Sequence, residues 1–245
     1  MRHTFVVAED DVEGRRAEGD TALDKLVQGP HTGSGVLEQR VTSYAPGRSL
    51  PRGEPGRDEL VYIISGSGTL ELEGEPYDLE ADSGAYVRAG ETYAIDNPGP
   101  GELLVVSTTV PVEQVYRPPR EVIVRFGDRP ELRADAKRTF RYLVNQDAGC
   151  MDATQFVGIV EPCRAPDHSH SYDELGYIVE GEGFAHIGDE SVQLRAGSCF
   201  HLPPEQVHCI ENTGPGVMRI LGVFHPSGDP ASRAYEDNSD LIPAS

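Results

Sequence analysis

The chain is poor in basic residues and lacks long apolar segments. Lysine and arginine together number 21 against 41 aspartates and glutamates, which gives a formal net charge of −20. Such a surface repels phosphate backbones and anionic membranes at long range, so we expect no nucleic-acid partner and no membrane partner. No stretch approaches the roughly 18 consecutive apolar residues that a membrane-spanning helix needs.

The four cysteines also lack a pairing pattern. Cys150, Cys163, Cys199 and Cys209 form no CxxC motif, and we expect no secretory leader before them. We interpret them as reduced thiols in or near the core of a cytoplasmic protein. A redox or nucleophilic cysteine is the alternative, and no pairing supports it.

Helical periodicity is scarce as well. Only Asp20–Val27 and Pro130–Lys137 are compatible with a turn or two of helix. The 27 glycines and 19 prolines instead separate short apolar runs, such as Leu60–Ile64 and Met218–Val223. Many short strands at this spacing predict an all-β fold, either a sandwich or a small barrel.

The sequence repeats itself at an offset of 115 residues. Glu59–Gly66 (ELVYIISG) aligns with Glu174–Gly181 (ELGYIVEG), and further matches extend along both halves. A repeat of this length is a whole domain rather than a solenoid unit. The proline pair Pro118–Pro119 cannot continue a strand interior and marks the boundary. We therefore predict two tandem copies of one β-domain, residues 1–118 and 119–245.

Two segments are expected to add strands. The Val122–Val124 run is interpreted as a strand of the second domain. The N-terminal segment Thr4–Ala8 could add to a sheet edge, and exposed edges often pair with a second copy. A homodimer is therefore expected.

Three histidines and one glutamate form the most informative pattern. His168 and His170 are separated by one residue, Glu174 follows four residues later, and His208 lies 34 residues beyond it. Residues i and i+2 of a strand face the same side, so the two histidines project together. Imidazoles and a carboxylate suit a divalent Mn, Fe, Co, Ni, Cu or Zn ion. The alternative is a pair of histidines on a solvated loop beside a surface glutamate.

The surroundings of this pattern give weaker expectations. Ligating imidazoles usually donate their second N–H to a carboxylate or a carbonyl, and Asp167 and Asp173 could accept, although a solvated turn is favoured for Asp173. Gly176 is expected to point inward and leave room near the metal. Weaker candidates for the mouth of the site are Tyr172, His186 and Arg219, whereas His201 and His225 are interpreted as structural.

The motifs around these residues resemble those of the cupin family. The first cupin motif is matched by His168, His170, Glu174 and Gly181. The second is matched by Gly197, Pro203, His208 and Asn212, with Glu205 standing where the motif has a second glycine. The resemblance covers nearly the whole chain as two copies. It implies a jelly-roll barrel, or double-stranded β-helix, in each half and one metal bound by the three histidines and Glu174.

The first copy departs from the motif. The positions that match His168, His170 and His208 hold Gly53, Pro55 and Tyr93, and only Glu59 is retained. We therefore expect a metal-free first barrel kept for packing against its twin. The alternative is a metal-free substrate pocket built from Glu59, Arg57 and Tyr93.

The resemblance implies a metal-dependent enzyme that acts on a small molecule. Dioxygenase-type chemistry fits the ligand set best, since flavonol-cleaving bicupins share it, and Glu174 would be the catalytic carboxylate. A manganese-dependent hydrolase or isomerase similar to ureidoglycine aminohydrolases is one alternative. A non-enzymatic cupin that binds a small ligand is the other, and the sequence leaves all three open.

Overall fold

The computed structural model describes residues 5–231 and 235–236. Its regular structure is β apart from two short 3-10 helices, Glu9–Asp11 and Phe126–Asp128. The predicted all-β fold of two tandem jelly-roll barrels is confirmed.

The strands of the first half are β1 (Val6–Ala8), β2 (Ala22–Gln28), β3 (Glu38–Tyr44), β4 (Gly47–Arg48), β5 (Arg57–Ser65), β6 (Ser67–Leu72), β7 (Glu75–Glu80), β8 (Ser83–Val87), β9 (Tyr93–Asn97) and β10 (Leu103–Pro111). Those of the second half are β11 (Ile123–Arg125), β12 (Leu132–Arg133), β13 (Arg138–Tyr142), β14 (Thr154–Val160), β15 (Cys163–Arg164), β16 (His168–Ser169), β17 (Asp173–Glu180), β18 (Glu182–Ile187), β19 (Glu190–Arg195), β20 (Ser198–Leu202), β21 (His208–Asn212), β22 (Met218–His225) and β23 (Tyr235–Glu236).

Each barrel consists of a larger and a smaller antiparallel sheet. In the first barrel the strand orders are β11-β8-β5-β10-β3-β2 and β4-β9-β6-β7. In the second they are β1-β20-β17-β22-β14-β13-β12 and β19-β18-β21-β16-β23, with β15 paired to β21. The strand that carries Glu174 therefore lies at the centre of a large sheet, and the strands that carry His168 and His208 lie in the opposite small sheet.

The two larger sheets pack against each other, so their strands are apolar on both faces. In β5, Val61 and Ile63 belong to the core inside the first barrel. Tyr62, between them, points the other way and packs with Tyr177 of the second barrel in one buried cluster. Strand alternation explains this division, because successive side chains leave opposite faces of a sheet. The repeat-equivalent tyrosines thus hold the barrels together.

Each barrel also donates a strand to the other. Val7 of β1 pairs antiparallel with Cys199 of the second barrel. Val124 of β11 pairs with Gly84 of the first barrel. The expectation that the Val122–Val124 run forms a strand of the second domain is therefore wrong with respect to sheet membership. Sequence alternation shows that a segment is a strand but not which edge it joins.

The same exchange affects the expected use of the N-terminal segment. Its described part begins at Phe5, and Val6–Ala8 pairs with the β20 edge within the chain, whereas Thr4 lies outside the described residues. The segment thus adds to a sheet edge, as expected, but to an edge within its own chain, and β1 becomes the terminal strand of that sheet. The homodimer itself stays a prediction.

Neither of the two stretches compatible with helix is helical, so that expectation is wrong. Ala22–Gln28 is a strand that pairs with β3, and Leu132–Arg133 pairs with β13. Pairing with a neighbouring strand overrides a weak local spacing, because local propensity is a weaker determinant than tertiary context. Among the described residues, no helix is long and apolar enough to span a bilayer.

The surroundings of Gly176 show that the interior of the second barrel is tightly packed at this position. A Cβ atom at this position would lie 2.0 Å from Cζ of Phe200, so the space beside the glycine holds the phenylalanine ring. The expectation that Gly176 leaves room near the metal is therefore wrong. We predict that Gly176→Ala lowers the free energy of unfolding by about 1–3 kcal/mol, the usual cost of overpacking a core. Urea denaturation measures this, with Gly216→Ala as control, since nothing lies within 4 Å of a Cβ there.

Candidate metal centre

Four side chains from both sheets of the second barrel converge on its interior. His168 lies on β16, His170 follows directly after it, and His208 begins β21. His168 and His208 are cross-strand partners. Glu174 reaches the same region from β17 in the larger sheet. His168 and His208, which are 40 positions apart in the sequence, are neighbours because β16 and β21 pair, and Glu174 faces them because the jelly roll folds one sheet over the other.

Three of the four groups lie within reach of a common ion. The ligand atoms of His170, Glu174 and His208 are all within 4.8 Å of one another. Atoms bound at about 2.1 Å from one ion are at most about 4.2 Å apart, so small shifts would suffice. His168 is outside this group, but its ring centroid is 4.4 Å from that of His208. The assignment of His168 as the fourth ligand stays a prediction.

Backbone carbonyls fix the orientation of all three imidazoles. The Nδ1 atom of His168 lies 3.0 Å from the carbonyl oxygen of Pro166, and the Nδ1 atom of His170 lies 3.0 Å from that of Tyr172. In His208 the acceptor is the carbonyl of Gln206, at 2.8 Å. A ring nitrogen beside a carbonyl must carry the proton and donate it, which leaves Nε2 as the ligand atom. The donor set therefore suits a divalent transition metal.

Asp167 and Asp173, the expected acceptors for these imidazoles, have other partners. Asp173 accepts from Nε2 of His201 at 2.7 Å, which agrees with a structural role for His201. Asp167 lies 3.5 Å from Arg164. The carboxylate expectation is wrong because the turns beside each histidine already present carbonyl oxygens. Every residue has a backbone carbonyl, so no pattern of side chains in the sequence predicts which carbonyls accept these hydrogen bonds.

Of the three candidates for the mouth of the site, some contact the histidine cluster and others have partners elsewhere. Tyr172 stacks on the ring of His170 with centroids 4.2 Å apart and planes 13° apart. His186 pairs with Glu211 at 2.8 Å. Arg219 reaches across to Asp82 of the first barrel at 2.6 Å. Of the three, Tyr172 alone joins the metal centre.

Burial and the carboxylate set the protonation of the cluster. Burial lowers the pKa of His168, and it lowers that of His208 to about 4, so both imidazoles are neutral at pH 7. Burial alone would raise the pKa of Glu174, but the hydrogen bond with His170 and the nearby imidazoles bring it below its usual value. Conversely, burial opposes charge on His170, yet the hydrogen bond to Glu174 raises its pKa. Without metal, the proton on Nε2 of His170 is shared with the glutamate Oε2 at 2.8 Å.

This arrangement predicts that metal affinity falls as the pH decreases. Below the raised pKa of His170, Nε2 holds a proton and has no lone pair to offer, so the metal must displace that proton. Above that pKa the affinity should level off. Affinity is expected to change by up to about tenfold per pH unit below the pKa. Calorimetric titrations at pH 6 and pH 8, in buffers of different ionisation enthalpy, measure both the affinity and the released proton. Equal affinities without proton release would contradict this prediction.

A largely apolar cavity of about 100 Å³ opens onto the cluster. A cavity needs only about 10–15 Å³ to hold one water, so there is room for a small ligand. Its walls come from β13, β14, β17, β20, β21 and β22. The residues that contribute apolar side chains are Phe140, Phe156, Val160, Ala165, Tyr172, Phe200, Leu202, Ile210, Ile220 and Phe224. Sequence reasoning did not identify Phe140, Phe156 and Phe224, which are far apart along the chain.

The turn before His208 explains one departure from the family motif. Glu205, where the motif has glycine, adopts a left-handed conformation with φ of 64°, which costs a residue with a side chain more than it costs glycine. Its backbone N–H donates to the carbonyl of His170 at 2.8 Å. The strained turn thus connects the loops that carry the two buried histidines.

The corresponding region of the first barrel offers fewer metal-binding groups. Glu59 accepts a hydrogen bond from the hydroxyl of Tyr93 at 3.1 Å, and burial raises its pKa. Arg57 donates to the carbonyls of Val36 and Thr109 at 2.6 and 2.8 Å. Among the described residues, the group of three ligand atoms in the second barrel has no counterpart here. The metal-free first barrel stays a prediction.

Comparison with known sequences places the fold in a family. The sequence pattern of the family described as "Cupin domain" matches residues 40–108 and 157–224, which is more than half of the chain. The chain is 33% identical over 60 residues to uncharacterized protein MJ1618 of Methanocaldococcus jannaschii, covering 24% of this chain and 48% of that protein. It is 34% identical over 68 residues to the uncharacterized HTH-type transcriptional regulator YfiF of Bacillus subtilis, covering 28% of this chain and 21% of the regulator. The matches thus span less than half of either relative.

Solved structures extend the likeness to nearly the whole chain. The putative glyoxylate induced protein of Pseudomonas aeruginosa superposes with a TM-score of 0.77 at 18% identity and covers 91% of both chains. A variant of oxalate decarboxylase from Bacillus subtilis gives 0.78 at 13% identity, covering 99% of this chain and 82% of the other. Protein Ylba of E. coli gives 0.76 at 14% identity, with 91% of each chain covered. At these identities the likeness establishes the fold, and together with the matched pattern it shows that the chain belongs to the cupin family as a protein of two tandem cupin domains.

Proposed function

We propose that the chain is a metal-dependent enzyme that transforms a small molecule in its second barrel by dioxygenase-type chemistry. The observation that carries the proposal is a cluster of buried imidazoles and an ionised carboxylate at the inner end of a cavity. A structural metal site is normally closed by protein ligands, whereas a catalytic site keeps positions open for substrate. A cavity beside the donor set supports the catalytic alternative.

The residues present fit one divalent transition metal per chain. His170, Glu174 and His208 would hold it, with His168 as the proposed fourth ligand. Nitrogen and carboxylate donors accept Mn, Fe, Co, Ni, Cu or Zn, so the donor set alone leaves the metal open. When bound, such an ion supplies Lewis-acid polarisation of the substrate and, if it is redox-active, a route for electrons.

The chain's own side chains orient the substrate and manage its proton. The Oε2 atom of Glu174, which accepts from His170 at 2.8 Å, is placed to take a proton from a substrate hydroxyl or enol. Phe224 and Tyr172 screen His170 from solvent, with ring centroids 5.7 and 4.2 Å from its ring. In a dioxygenase reaction both atoms of O₂ enter the product, and the substrate supplies the four electrons that reduce it.

A proton-transfer reaction without O₂ is the second candidate. Once a metal has displaced the proton shared with His170, the carboxylate of Glu174 could take up and return a substrate proton in a metal-dependent hydrolase, isomerase or decarboxylase. Oxalate decarboxylase has the same fold, although this likeness does not extend to the reaction.

Oxygen consumption separates the two candidates. Purified protein loaded in turn with Fe(II), Mn(II) and Ni(II) would be given a panel of small enols, α-keto acids and ureides. The proposal predicts O₂ uptake matched by products 32 Da heavier than the consumed substrate, allowing for fragments lost on cleavage. Turnover without O₂ uptake favours the hydrolase or isomerase, and no turnover with tight ligand binding favours a binding protein.

A further inference from the structure

The interiors of the two barrels differ in polarity although their strands correspond. Glu59 of the first barrel lies opposite Thr109 in the β5–β10 pair. Its equivalent Glu174 lies opposite Phe224 in the β17–β22 pair. The same backbone position therefore carries a hydroxyl in one barrel and an aromatic ring in the other.

Two further positions repeat this contrast. In the first strand pair of each repeat, Asp24 and Arg40 of the first barrel occupy the places of Phe140 and Phe156 in the second. The fold thus tolerates charged groups where the metal-side barrel has rings. The aromatic lining is a property of the second barrel rather than a requirement of the jelly roll.

The rings form a continuous wall that begins at the metal centre. Tyr172 stacks on His170, and its centroid lies 4.3 Å from that of Phe224. The Phe224 ring contacts Phe156 at 4.8 Å, and Phe156 meets Phe140 edge-on at 6.3 Å. Each of the four wall residues keeps 3–8% of its surface exposed, and all of them line the cavity. The wall is available to a ligand.

The one basic side chain that lines this cavity away from the histidines, among the described residues, is already compensated. Arg138 lies 2.6 Å from Oδ2 of Asp135 through Nη2 and donates to the same oxygen from Nε at 2.7 Å. An anionic ligand would have to compete with this carboxylate. The strong polar groups of the cavity are therefore concentrated at its inner end, around Glu174.

The outer wall limits the size of the ligand. Pro230 lines the cavity, and the neighbouring carbonyl of Asp229 accepts from the hydroxyl of Tyr172 at 3.2 Å. The cavity volume of about 100 Å³ is of the order of the ~150 Å³ apolar cavity that takes up benzene. One small ring or a branched aliphatic chain fits this space.

We infer that the substrate combines an oxygen-bearing head, which reaches the metal cluster, with a compact apolar body that lies among Phe140, Phe156 and Phe224. This inference rests on the proposed function, because it names the substrate class of the same site. Small acids and ureides that are polar throughout would leave the aromatic wall without a partner and are expected to be poor substrates.

A pair of chelators with the same head tests the inference. Binding of benzohydroxamate and acetohydroxamate to Mn(II)-loaded protein would be measured by calorimetry and corrected for their affinities for free Mn(II). Burial of the ring predicts roughly tenfold or more tighter binding of benzohydroxamate. Equal binding, or a preference for acetohydroxamate, would overturn the inference.

Two variants test whether the ring of benzohydroxamate contacts the proposed aromatic wall. Phe156→Leu and Phe140→Leu are each expected to reduce the preference for benzohydroxamate by roughly three- to tenfold, since aromatic pairs add to area burial, with metal content unchanged. Phe184→Leu is the control, because Phe184 is a half-buried phenylalanine of the same barrel that does not line the cavity. An unchanged preference in both wall variants would place the ring elsewhere.

Metal-free protein separates failure of this inference from failure of the proposed function. Fluorine NMR of 4-fluorobenzyl alcohol and 2-fluoroethanol, without metal, reports on the wall alone, and the aromatic probe should broaden while the small one does not. Ring binding without turnover on any substrate would refute the catalytic proposal and retain the inference. Metal binding and turnover without a preference for the aromatic probe would refute the inference and retain the catalytic proposal.

Discussion

Arg117→Ala is expected to lower the free energy of unfolding by about 3 kcal/mol, the low end of the range for breaking a buried ion pair. Arg117 lies in the segment that connects the barrels. Its guanidinium contacts Asp58 of the first barrel through two nitrogens, at 2.6 and 2.9 Å, and Asp152 of the second at 3.4 Å. Both carboxylates are almost completely buried. Removal of the guanidinium would leave two buried negative charges without a cation.

Chemical denaturation measures the Arg117 effect against a matched surface pair. Arg48 makes two contacts of 2.6 Å with Glu71, but both side chains are at least 40% exposed. Arg48→Ala should therefore change the free energy of unfolding little, because exposed ion pairs contribute little to stability. Arg117→Lys should fall between the two, since lysine keeps the charge but loses the planar fork. Similar losses for Arg117→Ala and Arg48→Ala would show that burial of the carboxylates is not what matters.

His208→Ala is expected to weaken metal binding by more than about 100-fold, because loss of even an outer hydrogen-bonding partner of a metal ligand costs 10–100-fold. His208 is buried, and its pKa of about 4 keeps it neutral as a ligand. Titration with Mn(II) or Zn(II), followed by calorimetry, gives the affinity directly. An affinity within a few-fold of the natural protein would remove His208 from the ligand set.

His201→Ala is the matched control for His208. His201 is equally buried, but its partner is Asp173, and it lies outside the ligand cluster. Its loss should lower stability and leave metal affinity unchanged. His168→Ala then tests the fourth ligand: a loss comparable to that of His208→Ala would assign His168 to the metal, and no loss would exclude it.

The sequence predicted the fold, and three of the four residues that it proposed as metal ligands, His170, Glu174 and His208, lie together in the structure. His168 and His170 alternate as strand residues do, and the offset of 115 residues between Glu59 and Glu174 identified the tandem repeat. Both features can be recognised in the sequence alone, because strand parity and motif spacing are properties of short segments. The tandem barrels and the membership of the cupin family are confirmed.

The remaining features depend on contacts between distant segments. Phe200 fills the space beside Gly176, and Val124 crosses to the first barrel, because of sheet pairings that no local pattern encodes. The imidazole partners are backbone carbonyls, which every residue has. The cavity wall is similarly assembled from Phe156 and Phe224, which are 68 positions apart in sequence and become neighbours only in the folded barrel.

Elemental analysis of the purified chain beside its His170→Ala variant tests the central claim most directly. We predict about one equivalent of a divalent transition metal per natural chain and less than about a tenth of that in the folded variant, because metal is retained only by a complete donor set. Two equivalents per chain would show that the first barrel also binds metal. An unchanged metal content in the variant would place the ion away from His170 and contradict the account.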